Sequence, residues 1–126
     1  MLLVKTLLRP SSIQGLGIFA DQLVPAGTPV WKFTPGFDLR ISPAQFSSLP
    51  EEVQAFFGRF GYRSPTTGQY ILCSDHYRHL NHSRDAANVG PSEAQDAGEP
   101  VDVALWDIQS GDELTFDYRH FGEDPT

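Results

Sequence analysis

Gly111-Asp112-Glu113-Leu114-Thr115-Phe116-Asp117-Tyr118, near the C-terminus, reads as a turn followed by a short strand. Gly-Asp is a turn signal. Leu114, Phe116 and Tyr118 then alternate with Thr115 and Asp117, so one face carries a leucine, a phenylalanine and a phenol. Taken alone, such alternation describes any half-buried edge strand. Its meaning depends on the segments upstream.

Working outward, Val101–Trp106 reads as a strand that leads through Ser110-Gly111 into this stretch, and residues 91–100 read as a polar connector. Tyr70–Cys73 reads as a buried strand, preceded by a loop over 63–69. Residues 42–60 form the one convincing helical region. Ser42-Pro43 and Leu49-Pro50-Glu51-Glu52 are helix starts with proline in the first turn, and Leu49, Val53, Phe56, Phe57 and Phe60 recur at helical spacing, as core packing does. Pro29–Phe33 and Phe37–Ile41 read as short strands joined at Pro35-Gly36, and Leu3–Leu8 as the first strand. Between them, Gln14-Gly15-Leu16-Gly17-Ile18-Phe19-Ala20 places a Gly-x-Gly after a strand, where the backbone turns sharply and its polar groups stay approachable. It lacks the third glycine and the following helix of a dinucleotide fingerprint.

The 126 residues suffice for one domain, 1–126, and 11 Gly with 10 Pro favour turns and short strands over long helices. The expected fold class is mainly β. Lys5 and Arg9 interrupt the first apolar residues and no later run is long enough to cross a bilayer, which points to a cytoplasmic protein without a membrane partner. Cys73 is the only cysteine, excluding an internal disulfide and a multi-thiolate zinc site. His76, His79 and His82 recur every third residue, but no cysteine or carboxylate stands at ligand spacing, so no metal is expected. Ser74-Asp75-His76 are adjacent in sequence, unlike a hydrolytic triad. The net charge of −7 is uneven: residues 1–74 hold six basic and four acidic side chains, residues 75–126 three and twelve. An acidic half argues against direct nucleic-acid binding and suits either a basic peptide partner or solubility alone.

Together, Gly15-Leu16-Gly17-Ile18-Phe19-Ala20, Tyr70-Ile71, His79-Leu80-Asn81-His82-Ser83 and Gly111–Tyr118 resemble, in that order, the SET-domain protein-lysine methyltransferases from about residue 3 to residue 121. The resemblance implies a SET-type β-clip of small sheets with a short helical insertion and a C-terminal pseudoknot. It implies S-adenosylmethionine as cofactor, held by Gln14, Gly15, Leu16, Gly17, Asn81 and His82. Tyr118 would be the catalytic tyrosine, and Tyr70 and Phe116 would line the substrate lysine's channel. Three departures stand out. Arg84 replaces the usual cysteine, Asn88 lies one residue late, and Arg119 replaces the glycine after the tyrosine. The short stretch after Tyr118 carries no cysteine-rich tail, so Phe121 packing on adenine, or a second subunit in a homodimer, is expected to close the site. Two functions follow from the resemblance: methylation of lysine in a basic protein or peptide, or a SET-like module that binds cofactor or peptide without turnover.

That chemistry needs these residue types. An unperturbed lysine, with a pKa of about 10.4, is a neutral nucleophile in only on the order of one molecule per thousand near pH 7. An aromatic channel disfavours its charged form, and positioning then dominates the transfer.

Overall fold

The computed structural model describes residues 1–122. Strand β1 (Thr6–Pro10) pairs antiparallel with β2 (Leu16–Ala20), placing Arg9 opposite Gly17. The first strand starts at Thr6 rather than Leu3 because the residues before it pair elsewhere: Leu2 bridges to Trp31, and the Leu3 amide donates to the Val30 carbonyl. Strands β3 (Pro29–Trp31) and β4 (Leu39–Ile41) follow, each shorter than the apolar run that contains it.

The helical region divides into α1 (Pro43–Ser47) and α2 (Glu51–Phe60). Ser42 starts α1 with a capping box: its hydroxyl accepts from the Gln45 amide, and the Gln45 side chain accepts from the Ser42 amide. Glu51 and Glu52 stand at the positive end of α2, where they oppose the helix dipole. Gly61 ends it, and a Cβ there would lie 2.5 Å from the Ile71 carbonyl oxygen, so only glycine admits the next strand this closely. The apolar stripe of α2 is only partly core. Phe57 is buried against Phe46, whereas Val53 and Phe56 are 39% and 40% exposed, and on that side the Arg78 guanidinium lies over the Phe56 ring and the His79 ring meets Phe60.

Next come β5 (Tyr62–Arg63), β6 (Tyr70–Leu72), a 3₁₀ turn at His76–His79, β7 (Asn81–His82), β8 (Val89–Asp96), β9 (Glu99–Ala104), β10 (Thr115–Phe116) and a second 3₁₀ turn at Tyr118–Phe121. Residues 91–100 are therefore not a connector. They form the arms of the β8–β9 hairpin, turning at Ala97 (φ 53°) and Gly98 (φ 84°), and they look like loop in sequence because the ribbon's tip, with Glu93 to Asp96, faces solvent.

Three small sheets result: β1–β2, β4–β6–β5, and a five-stranded sheet in the order β3–β9–β8–β10–β7. The last order matters most. β10 lies between β7 and β8, parallel to both, so the 83–88 connection joining those two strands has to cross it, which makes the pseudoknot. The opening stretch thus ends in an interior strand of a sheet and not an edge strand. Leu114, Thr115 and Phe116 are all buried, and Tyr118 has left the strand for the 3₁₀ turn. Ile18, Trp31, Ile71, Ile108, Leu114 and Phe116 form the centre of the core. No helix among the described residues is long and apolar enough to cross a membrane.

Candidate active site

Three segments far apart in sequence meet at the crossing. β2 pairs on its free side with the approach to β10: Phe19 bridges to Glu113, the Leu114 amide donates to the Ile18 carbonyl, and Ala20 accepts from Gly111. On the far side of β10, Thr115 faces Asn81 and Phe116 faces His82. The Gly-x-Gly segment, the Asn-His pair and the approach to Tyr118 are therefore neighbours.

Asn81 ties them together. Its side-chain amide, nine-tenths buried, donates to the carbonyls of Gln14 (3.2 Å) and Leu16 (3.1 Å) and to the Glu113 carboxylate (2.9 Å), which also accepts from the Ser11 hydroxyl at 2.8 Å. Gly17 permits this packing, since a Cβ there would stand 2.3 Å from Glu113 Oε2. Gln14, Gly15 and Leu16 themselves are exposed, with Gly15 in the left-handed region at φ 47°. Asn88, one position late for the family, still reaches the crossing. Its amide donates to the Glu113 carbonyl (2.8 Å) and its oxygen accepts from the Thr115 amide (2.9 Å), clamping the strand's start. Arg84 and Arg119, the other two departures, meet each other: the Arg119 guanidinium donates to the Arg84 carbonyl and pairs with Asp117, whose carboxyl it holds well below the usual range.

Tyr118 is fixed at both ends. Its amide donates to His82 Nδ1 at 3.0 Å, and its hydroxyl donates to the Leu80 carbonyl. Accepting at Nδ1 leaves the His82 ring proton on Nε2, and that atom is buried without a hydrogen-bond partner. A phenol already committed as a donor to a carbonyl meets an incoming amine N–H as an acceptor.

Tyr118 lines a cavity of about 70 Å³ together with Phe60, Tyr62, Tyr77, Leu80 and Phe121. Phe121 stacks on Tyr62 with ring centroids 4.4 Å apart, and this pair also walls a second cavity, of about 180 Å³, lined by Phe116, Glu99, Asp102 and His120. Phe116 is 1% exposed and stacks on Phe121 at 4.9 Å, so it touches the second cavity rather than the first. Tyr70 is absent from both linings. It stacks on Phe46 at 3.9 Å under α1, and Tyr62 takes the place beside Tyr118 that the sequence reading gives to Tyr70. Phe121 packs on three protein rings, those of Tyr62, Phe116 and Tyr118.

Reasoning from sequence gave no site role to Tyr62, Tyr77, Glu113 or Asp102, and marked Asn88 only as lying one residue late. Tyr62 follows a glycine at a helix end, and nothing in the local pattern marks it as facing a cavity. No group of three or more metal-ligating side chains is found among the described residues.

A cofactor the size of S-adenosylmethionine needs more room than 70 Å³, since ligand pockets commonly reach roughly 300–1,000 Å³. The residues present nevertheless fit one bound along the exposed Gln14–Leu16 turn, whose shape the Asn81 amide fixes from below, beside the buried Nε2–H of His82 wanting an acceptor.

Comparison with known proteins bears on the fold and the family. The SET-domain family matches residues 15–119. A solved structure described as a candidate histone methyltransferase of Plasmodium falciparum is similar at TM-score 0.65 and 18% identity, covering 91% of this chain and 93% of that one. A humanized mutant of the Chaetomium thermophilum Polycomb Repressive Complex 2, bound to the inhibitor GSK343, is similar at TM-score 0.69 and 22% identity, covering 94% of this chain and 15% of that one. No curated protein matches the sequence. With the matched segment running from the Gly-x-Gly turn through Tyr118, and with both solved relatives sharing the fold, the chain belongs to the SET-domain family.

Proposed function

We propose that this chain transfers a methyl group from S-adenosylmethionine to the side-chain amine of lysine in a basic protein or peptide. The observation that carries the reading is the convergence at one crossing of the Gln14–Gly17 backbone, Asn81-His82 and a Tyr118 hydroxyl held by the Leu80 carbonyl. S-adenosylmethionine supplies a methyl group made electrophilic by its sulfonium. In this reading Gln14, Gly15, Leu16, Gly17, Asn81 and His82 hold the cofactor, and Phe121 turns to cover its adenine.

The aromatic rings around Tyr118 strip water from the lysine and disfavour its ammonium form, and the Tyr118 oxygen orients the amine by accepting one of its N–H groups. Phe116, without a hydroxyl to hold the methylated amine in one rotamer, leaves it room to turn and react again. Ile13 and Leu16, 49% and 44% exposed beside the Gly-x-Gly turn, offer an apolar surface that a second copy of the chain would cover, completing the cofactor face in a homodimer. Light scattering that shows a monomer with cofactor bound removes that last element.

A second reading, a binding module without turnover, is favoured by the small size of the cavity and the three-ring packing of Phe121. Incubation with methyl-labelled S-adenosylmethionine and a library of basic peptides separates the two. Label on lysine supports the enzyme, whereas cofactor binding in calorimetry without any transfer supports the module.

A further inference from the structure

A hydrogen bond joins the two cavities through the core. Tyr77 lines the Tyr118 cavity, is 5% exposed and stacks on Trp31 at 5.2 Å. Its hydroxyl donates to Asp102 Oδ2 at 2.6 Å, and Asp102 lines the second cavity. Tyr62, which lines both, makes no hydrogen bond through its hydroxyl to another described residue. A carboxylate in the core of a 126-residue domain is costly unless paired with a cation, and no cation contacts Asp102 among the described residues.

The groups around Asp102 define its state. From its own strand comes Glu99, 1% exposed, whose carboxylate accepts from the Thr67 hydroxyl at 2.7 Å and lies 3.9 Å from the Arg40 guanidinium of β4. The turn at His76–His79 contributes the Tyr77 phenol, β5 contributes Tyr62, the N-terminal segment the Met1 ammonium, and the second 3₁₀ turn contributes His120 at the cavity wall. Burial, with Glu99 adding to it, raises Asp102 to about 7, against the lowering by the Tyr77 hydrogen bond and the Met1 ammonium. The Tyr62 and Tyr77 phenols are pushed well above the usual phenol range, by burial first, so both stay neutral, and Tyr77, bonded to Asp102, is the one placed to relay a proton.

Given methylation at the Tyr118 cavity, we propose that Asp102 accepts, through the Tyr77 hydroxyl, the proton that the substrate ammonium must lose. One N–H bond of the ammonium breaks, and its electron pair stays on nitrogen as the lone pair. The proton joins the Tyr77 oxygen while the Tyr77 O–H proton moves to Asp102 Oδ2. The phenol is regenerated, the carboxylate becomes a carboxylic acid, and the neutral amine is left beside Tyr118. Asp102 then returns the proton to water arriving through the second cavity. This rests on the methyltransferase reading but uses residues that lie outside the cofactor site.

Two substitutions test it. Asp102→Asn keeps an acceptor for the Tyr77 hydroxyl but takes up no proton, and Tyr77→Phe keeps the ring on Trp31 but breaks the relay. In the unmodified protein, infrared difference spectra should show one buried carboxyl titrating near neutrality. That band should vanish in Asp102→Asn and move to higher pH in Tyr77→Phe, which removes a hydrogen bond to the carboxylate. The pH profile of kcat for a single-lysine peptide should rise and level off across the same range in the unmodified protein. In Asp102→Asn kcat should fall at least tenfold at pH 7.5 and keep rising with pH, with calorimetric cofactor affinity within twofold. An unchanged pH profile and rate in Asp102→Asn overturn the relay while leaving the methyltransferase standing. An absence of label transfer by the unmodified protein, at pH 7 and pH 9 alike, overturns both.

Discussion

At the scale of single residues, the site depends on close approaches that only certain side chains allow. Gly17→Ala should drive the Glu113 carboxylate off Gly17 and away from the Asn81 amide, since the new Cβ would sit 2.3 Å from the one and 3.0 Å from the other. Losing a buried polar contact and overpacking the turn should destabilise the fold by roughly 1–3 kcal/mol, read by urea denaturation. Unchanged stability would mean that Glu113 is not held there. Phe116 governs a different property. It stacks at 4.9 Å on Phe121, which lines the Tyr118 cavity, so Phe116→Tyr adds an oxygen behind the wall against which a methylated amine would turn. The unmodified enzyme should give di- or trimethyllysine and Phe116→Tyr chiefly monomethyllysine, with the first transfer little changed. Mass spectrometry of an exhaustively treated single-lysine peptide decides it, and an identical product distribution contradicts the assignment. The identities of Gly17, Asn81, His82 and Tyr118 are legible in sequence because a short motif carries each. Tyr62, Tyr77 and Asp102 are not, since their roles come from which cavity each side chain meets, a matter of tertiary packing with no local pattern.

At the scale of elements, sequence periodicity located the helices and most strand positions but misjudged the ends and the hairpin. The α1 start was readable from Ser42 and Pro43 because helix-start chemistry is local. The β8–β9 hairpin was not, because an exposed two-stranded ribbon with Glu93, Gln95 and Asp96 has the composition of a loop, and its turn residue Ala97 takes a positive φ without being glycine. β10 illustrates a different limit. Alternation suggests one wet face, yet both neighbours of the strand, β7 and β8, come from a loop crossing that no periodicity records. The clamp on that crossing is Asn88. Asn88→Ala leaves the Glu113 carbonyl and the Thr115 amide without their side-chain partners in a buried site and should cost about 2–4 kcal/mol. The same substitution at Gln95, on the exposed ribbon, should change stability by less than about 0.5 kcal/mol. Comparable losses at both positions would remove Asn88 from its clamping role.

At the scale of the whole molecule, part of the acidic half is occupied by internal work. Of its twelve acids, Asp75, Asp107, Asp112, Glu113 and Asp117 accept hydrogen bonds within the protein and Glu99 and Asp102 are buried, although Asp107 and Asp112 stay exposed. Part of the charge imbalance visible in the sequence therefore serves the fold. Asp102 makes this measurable. Its carboxyl rises from 3.8 to about 7 on folding, so between those values the unfolded chain releases a proton that the folded chain keeps. Rising pH then favours unfolding: stability should fall from about pH 4 to about pH 7 and level off above. Asp102→Asn should remove that slope and gain stability over the unmodified protein as pH rises, on the order of 4 kcal/mol at pH 8. Parallel stability curves for the two proteins would contradict a buried, proton-binding Asp102. The central claim concerns Tyr118, whose hydroxyl and amide are held by Leu80 and His82 at the crossing. The most direct test is single-turnover transfer of labelled methyl to a lysine peptide by the unmodified protein and by Tyr118→Phe, with cofactor affinity measured on both. The account predicts transfer by the first and a loss of about a hundredfold or more in the second at unchanged affinity, whereas equal rates would contradict it.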